Sequence, residues 1–329
     1  MPLTDQQLRS FRDDFDALRG EVGKVVVGQP EVIDGMLTAL VAGGHVLIEG
    51  NPGLGKTVLV RTLAQVVELS FQRVQFTPDL MPSDLLGTYV VMETPQGRRT
   101  FEFQKGPIFS HLILADQINR GTPKTQSALL EAMEGQEITV ANESFRLPEP
   151  FCVVATENPL EMEGTFPLPE PELDRFLLKL TVGPPTPAEI EEILDRTTEN
   201  IGPVVRSIVD GRRLLEMRTV ARAVLIDRGL RHWAIGLTMA TCPEQPDAPE
   251  QVRRFVRYGS SPRGAQALVT AAKIKAASEG RASVAESDVR GVVHAVLRHR
   301  VILNFEGQAE NISPDRLIDD VLDVVPRKN

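Results

Sequence analysis

Residues 50–57 read Gly50-Asn51-Pro52-Gly53-Leu54-Gly55-Lys56-Thr57, a glycine-rich run that closes on Gly-Lys-Thr. Residue types in that order can hold a polyphosphate. Glycines let successive backbone N–H groups turn inward, Lys56 offers a point charge to the outer phosphates, and the Thr57 hydroxyl can ligate Mg2+. Val58 then opens a helical pattern over residues 58–67, whose N-terminal amides add to the anion site. Further along, Leu112-Ile113-Leu114-Ala115 ends in Asp116, where a carboxylate can hold the hydration shell of a divalent cation; alone, such an acid could equally cap a loop. Asn158, in Ala155-Thr156-Glu157-Asn158-Pro159, could orient a water near a terminal phosphate, although Asn-Pro also makes ordinary turns.

These residues need a scaffold that brings loop ends together. Five short β-type runs can be marked, at residues 46–49, 71–76, 112–116, 151–156 and 176–180, separated by helical patterns or hairpins. That alternation predicts a parallel sheet covered by helices on both faces, with ligands at the carboxyl ends of the strands. Two segments interrupt it. In residues 87–106, Tyr89, Val91, Phe101 and Phe103 alternate about Pro95-Gln96-Gly97, and in residues 137–147 two short runs flank Ala141-Asn142-Glu143. Both read as β-hairpins, and with no aromatic residue at either tip they could simply stiffen the surface.

After Val182-Gly183-Pro184-Pro185 the pattern becomes helical. Thr186-Pro187-Ala188-Glu189 supplies a cap, a proline at the first helical position and an early acid, which places a boundary between domains 1–185 and 186–329. Val289, Val292, Val293, Val296 and Leu297 line one helical face, so the second domain is expected to be a small bundle, with residues beyond Val325 frayed.

With 329 residues, 42% of them apolar, the chain can bury a sizeable core, and its length favours two domains. A net charge of −9 without blocks of like charge argues against broad binding to nucleic acid or anionic membrane. The two cysteines, Cys152 and Cys242, have no metal-ligand spacing and fit a reducing cytoplasm. The polar N-terminal stretch, with Leu8, Phe11, Phe15 and Leu18 at helical spacing, reads as neither signal peptide nor membrane span. His45, His111, His232, His294 and His299 show no ligand spacing either.

Several further motifs occur in a recognisable order: Val27-Gly28-Gln29, Gly106-Pro107-Ile108-Phe109, Asp116-Gln117-Ile118-Asn119-Arg120, Phe166-Pro167-Leu168-Pro169-Glu170, Leu173-Asp174-Arg175-Phe176, Ser261-Pro262-Arg263 and Leu297-Arg298-His299-Arg300. From about residue 20 onward the chain resembles a MoxR-type AAA+ ATPase. The resemblance implies an α/β P-loop core with a five-stranded parallel sheet, two inserted hairpins projecting toward a ring pore, and an all-α lid. It places Val27, Gly28 and Gln29 near the adenine, the run from Asn51 to Val58 on the nucleotide, Thr57 and Asp116 at Mg2+, and Asn158 as sensor 1. Arg175 resembles an arginine finger that reaches the ATP of a neighbouring subunit, and Arg263 resembles sensor 2. For Arg175 the plain alternative is an intrachain ion pair. Arg263 follows Pro262 at a predicted helix start, where a cation is disfavoured unless an anion is near; whether it serves its own nucleotide or a neighbour's is open. The implied partners are further copies of the chain in a ring, expected to be a hexamer, and protein clients or proteins with von Willebrand factor type A domains.

One position departs from the family pattern. Where the resemblance implies a water-polarising glutamate, the chain has Gln117, whose neutral amide is a very poor proton acceptor. ATP and Mg2+ are expected to bind while hydrolysis is slow. A substitution introduced to hold ATP and a natural ATP-gated switch both account for it, and the intact remainder of the site favours the first. An ATP-driven remodelling ring is the leading expectation. The competing classes are a non-hydrolysing switch or scaffold, a magnesium-chelatase-like motor subunit, and a nucleic-acid translocase, which the acidic composition disfavours.

Overall fold

The computed structural model describes residues 3–93, 99–158, 164–198 and 204–327. In chain order its first strands are β1 (Val46–Gly50), β2 (Phe71–Gln75), β3 (Gly87–Glu93), β4 (Arg99–Lys105), β5 (Leu112–Asp116), β6 (Glu137–Val140), β7 (Glu143–Arg146), β8 (Cys152–Glu157) and β9 (Leu178–Val182). The helices interleaved with them are α1 (Asp5–Gly23), α2 (Pro30–Ala42), α3 (Lys56–Val66), α4 (Pro82–Leu86), α5 (Pro123–Gly135) and α6 (Glu170–Leu173). The five expected strands form one parallel sheet in the order β2-β5-β8-β1-β9, which puts the strand before the phosphate loop between β8 and β9.

Alternation along the strands sends side chains to two separate cores. Val46, Ile48, Leu112, Leu114 and Val154 face Leu59, Val60 and Leu63 of α3 on one side. Leu47, Ile113, Ala115, Val153 and Ala155 face Leu129, Leu130 and Met133 of α5 on the other. Apolar side chains on both faces are what a buried parallel sheet requires. The N-terminal pattern becomes α1, capped by Thr4, whose hydroxyl accepts from Gln7 N at 3.2 Å, with Leu8, Phe11, Phe15 and Leu18 buried.

The fifth strand is displaced from residues 176–180 to Leu178–Val182. Its expected first residues serve another purpose: Leu177 N donates to His45 O at 2.8 Å, and Phe176 O accepts from Arg300 Nη2 at 2.7 Å. Both hairpins form as antiparallel pairs, β3 with β4 and β6 with β7. The expected tip at Pro95-Gln96-Gly97 lies outside the described residues. A ring cluster joins the two hairpins, with Phe103 stacked on Phe145 at 4.4 Å between centroids and Phe109 against both. Near the first tip, Phe101 stands opposite Val91 and is 75% exposed, so apolar surface does approach that tip.

The second half comprises α7 (Pro187–Thr198), α8 (Gly211–Ala223), α9 (Arg228–Ala240), α10 (Glu250–Phe255), α11 (Pro262–Ser278), α12 (Glu286–Leu297), α13 (Phe305–Ala309) and α14 (Pro314–Val324). It is not purely helical: β10 (Val256–Tyr258) and β11 (Ile302–Leu303) pair antiparallel. On α12, Val289, Val293, Val296 and Leu297 are buried, and they belong to the same apolar cluster as Phe15 of α1 and Ile33 of α2. Beyond Val325 the chain is held rather than frayed as far as it is described. Val325 O accepts from Trp233 Nε1 at 2.9 Å, and Arg327 lies 3.6 Å from carboxylate oxygens of both Asp227 and Glu286.

Candidate functional site

The carboxyl rim of the sheet carries an open cavity of about 440 Å3, lined by Pro52 to Val58, Asp116, Gln117 and Asn158, with Arg73, Gln75, Thr156 and Glu157. Three expected groups of residues, far apart in sequence, thus share one space. Gly53 and Gly55 adopt positive φ of 84° and 75°, and a Cβ on either would meet only open space. The glycines are therefore required for the backbone turn rather than for clearance. Asn51 precedes this turn and contributes its carbonyl, which accepts from Lys56 Nζ at 2.9 Å; the same nitrogen donates to Gly50 O. Burial pushes the Lys56 ammonium below its ordinary pKa, and the Asp116 carboxylate offsets part of that shift. A half-buried cation bonded to carbonyls is well suited to an incoming phosphate.

Asp116 is tied down on both oxygens. Thr156 Oγ1 donates to Oδ1 at 2.7 Å, and Arg73 Nη2 and Nε reach Oδ2 at 2.6 and 3.0 Å. Gln117 takes a left-handed backbone, φ 56° and ψ 55°, anchored by its N–H on Thr156 Oγ1 at 2.9 Å. Its Oε1 accepts from Gln75 Nε2 at 2.8 Å, and Gln75 Oε1 in turn accepts from Arg73. Asn158 is buried, 5% exposed, directly after β8. Glu157 beside it is pushed above the ordinary carboxylate range, chiefly by burial, with Lys179 opposing the shift. The donor set fits a nucleotide with a divalent cation: a hydroxyl at Thr57, a carboxylate at Asp116, an ammonium at Lys56 and a turn that offers backbone N–H groups.

Val27, Gly28 and Gln29 stand apart from this cavity lining. They lead into α2 through two positive φ angles, 67° at Gly28 and 56° at Gln29, and a Cβ on Gly28 would lie 1.9 Å from Glu189 Oε1 of α7. Helix α7, with no buried residue, is fixed to the preceding segment by Arg196, whose Nη1 donates to Gly23 O at 2.8 Å and Lys24 O at 2.6 Å.

Arg175 and Arg263 lie elsewhere. Arg175 precedes β9 next to Leu177, which is bonded to His45 at the start of β1, whereas the phosphate loop follows the other end of β1. Arg175 pairs with Glu172 at 2.8 Å and Glu134 at 3.4 Å, and donates to Leu130 O. Arg263 Nη2 reaches Glu134 Oε1 at 2.6 Å. Both arginines thus converge on the end of α5, at the amino rim of the sheet. Behind them Arg300, 5% exposed, donates to Asp174 Oδ1 at 2.8 Å, Asp174 O at 3.2 Å and Phe176 O at 2.7 Å. Ser261 Oγ donates to Asp174 Oδ2 at 2.7 Å, which ties the start of α11 to the same turn.

Sequence reasoning missed Arg73, Gln75 and Thr156. The first two sit two apart on β2, so they share a face, and β2 pairs beside β5 with Gln75 opposite Asp116. The period-two signal was present, but the pairing of β2 with β5 was not.

Sheet order, phosphate loop, inserted hairpins and helical second half define a P-loop AAA+ ATPase fold. The profile of the ATPase family associated with various cellular activities (AAA) matches residues 45–178, and that of an AAA lid domain matches residues 250–321. The chain is 40% identical over 305 residues to Chaperone MoxR1 of Mycobacterium tuberculosis, covering 93% of this chain and 80% of that protein. It is 32% identical over 343 residues to Protein MoxR of Methylorubrum extorquens, covering 98% and 97%. A crystal structure of a candidate ATPase from Cytophaga hutchinsonii superposes with a TM-score of 0.91 at 39% identity, covering 98% of each chain. The chain belongs to the MoxR family of AAA+ ATPases. Among the described residues no helix is long and apolar enough to cross a membrane, and no group of three or more His, Cys, Asp or Glu could hold a metal ion.

Proposed function

We propose that the chain is a cytoplasmic, ring-forming ATPase that couples Mg2+ and ATP to the remodelling or maturation of protein complexes, with residues 1–185 as core and 186–329 as lid. In this reading Lys56 and the loop amides hold the phosphates, Thr57 and Asp116 serve Mg2+, Asn158 orients water, and Val27 to Gln29 border the adenine. When bound, Mg2+ would neutralise charge on the phosphates. The observation that carries the reading is the separation of Arg175 and Arg263 from the chain's own phosphate loop. Two arginines on Glu134, at the opposite rim, have no phosphate within the chain, and a neighbouring copy would supply one to each. The joined hairpins, with Phe101 exposed near one tip, are the surface offered to a client; a partner with a von Willebrand factor type A domain is the class the family resemblance favours.

Gln117 favours a second reading, an ATP-gated switch or scaffold. Its amide oxygen is engaged by Gln75 and is no general base, so hydrolysis is slow in either case. Mass measurement with and without ATP and Mg2+ tests the ring: assembly, expected as a hexamer, appears only with nucleotide, and a chain monomeric at every concentration would leave Arg175 without a target. Turnover then separates the readings. In assembled protein, Gln117→Glu raises the rate by about a hundredfold to ten-thousandfold if the chain is a motor, because a general base is restored. Continued inactivity of that variant would leave the switch.

A further inference from the structure

Arg73 enters the phosphate cavity from β2, an edge strand, and lies outside the phosphate loop and outside the strand ends at Asp116 and Asn158. Two of its guanidinium nitrogens bond the same oxygen, Asp116 Oδ2, while Thr156 holds Oδ1. Both oxygens of the carboxylate are thus engaged by the protein. A hydrated divalent cation needs one of them, either directly or through a first-shell water that donates to it. Thr156 also anchors the backbone of Gln117, so Oδ2 is the oxygen that can change partners. A guanidinium and a divalent cation on one oxygen repel each other at short range in a partly buried site.

The Arg73 side chain is 43% exposed while that of Asp116 is only 15% exposed, so the arginine is the partner able to leave. Its destination is set by what else the cavity admits. Polyphosphate oxygens are the acceptors that a planar guanidinium fork binds best. Gln75, bonded to both Arg73 and Gln117, links any such movement to the position beside the missing carboxylate.

We infer that Arg73 is a nucleotide-positioning residue that exchanges partners, holding Asp116 before nucleotide binds and turning to a phosphate oxygen when nucleotide enters, which leaves Asp116 to the divalent cation. This rests on the reading of the cavity as a nucleotide site. The exchange keeps Asp116 paired before nucleotide binds and gives the phosphates a counter-charge even without metal. It also makes Mg2+ compete with an internal cation, which raises the concentration of Mg2+ required.

The test is binding of a fluorescent ADP analogue to the full chain, followed by anisotropy in EDTA and across a Mg2+ titration, with thermal unfolding as the check on folding. Arg73→Met is expected to weaken binding in EDTA by about tenfold, the scale of losing a charge-assisted hydrogen bond. Saturating Mg2+ recovers most of that loss, and the Mg2+ midpoint falls about threefold or more. Arg73→Lys, which keeps the charge, restores most of the affinity in EDTA. Equal weakening of Arg73→Met in EDTA and in Mg2+ would overturn the exchange and leave Arg73 a support for the cavity wall. No change in either condition, or a lysine variant that restores nothing, would overturn it as well. Failure of the unaltered chain to bind the analogue would instead sink the nucleotide-site reading itself.

Discussion

The carboxyl rim of the sheet draws its groups from loops that directly follow β1, β5 and β8, and it encloses a cavity of about 440 Å3. The amino rim draws Glu134 from α5, Arg175 from the turn before β9 and Arg263 from the start of α11, with the Arg263 side chain half-exposed and that of Arg175 largely covered. The first rim is a container; the second is a pair of charges held on a rigid base. At the container, polar groups satisfy one another in a network that a ligand can rearrange, with Lys56 on carbonyls and Arg73 on Asp116. At the base, Arg300 and His299 bond backbone carbonyls of residues 174–177 from within the core, and rearrangement there would expose buried charge. In the proposed reading, one rim admits nucleotide and the other acts on a neighbour's.

The most severe way to break that contrast is at Arg175. In a Gln117→Glu background, Arg175→Ala is expected to lower ATP turnover of the assembled protein by about a thousandfold to a hundred-thousandfold, the range for losing an arginine finger. Nucleotide affinity of the unassembled chain should stay unchanged. If that affinity falls with turnover, Arg175 belongs to its own subunit's site and the two rims are not separate in function.

A smaller effect probes the base itself. Arg300→Met removes the cation that faces Asp174 with a side chain only 3% exposed, and breaking such a pair costs about 3 kcal/mol. Urea unfolding would read it directly. A loss below about 1 kcal/mol would show that the amino rim is no more rigid than a surface ion pair.

The smallest expected effect concerns His45, which stands at the foot of β1. Its Nδ1 accepts from Val153 N at 3.0 Å and its Nε2 donates to Met133 O at 3.1 Å, beside Glu134. Complete burial pushes its pKa down to about 4, with the Met133 carbonyl opposing the shift. The imidazole must therefore stay neutral in the folded protein while it titrates near 6.5 when unfolded. The unfolded state binds more protons between these values, so this contribution is intact above pH 6.5 and lost as pH falls toward 4, up to about 3 kcal/mol. His299, also buried and held well below its ordinary pKa, acts in the same direction. Stability measured by urea unfolding from pH 7 to 4 should fall, and less steeply in His45→Asn, whose amide oxygen can still accept from Val153 N. An unchanged slope would exclude His45 as the titrating group.

Much of the carboxyl rim was legible because its chemistry is local. Gly53, Gly55, Lys56 and Thr57 sit within one turn of chain, and Asp116 and Asn158 mark strand ends that alternation alone reveals. Any parallel sheet brings strand ends to one edge, so a correct strand count was enough to gather them. Arg73 and Gln75 escaped because their roles depend on β2 lying beside β5, a choice of neighbour that periodicity does not contain. The start of β9 was misplaced for a related reason: Phe176 and Leu177 are apolar enough for a strand, but His45, His299 and Arg300 claim their backbone groups.

By itself the sequence determined a P-loop chain with two hairpins, a helical second half and a glutamine directly after Asp116. Those features follow from local periodicity, turn chemistry and the identity of single side chains. Only the tertiary structure decided that Arg263 joins Arg175 on Glu134 rather than its own phosphate loop, and that Arg73 holds Asp116. Both are encounters between side chains distant in sequence, at distances set by helix packing and strand order.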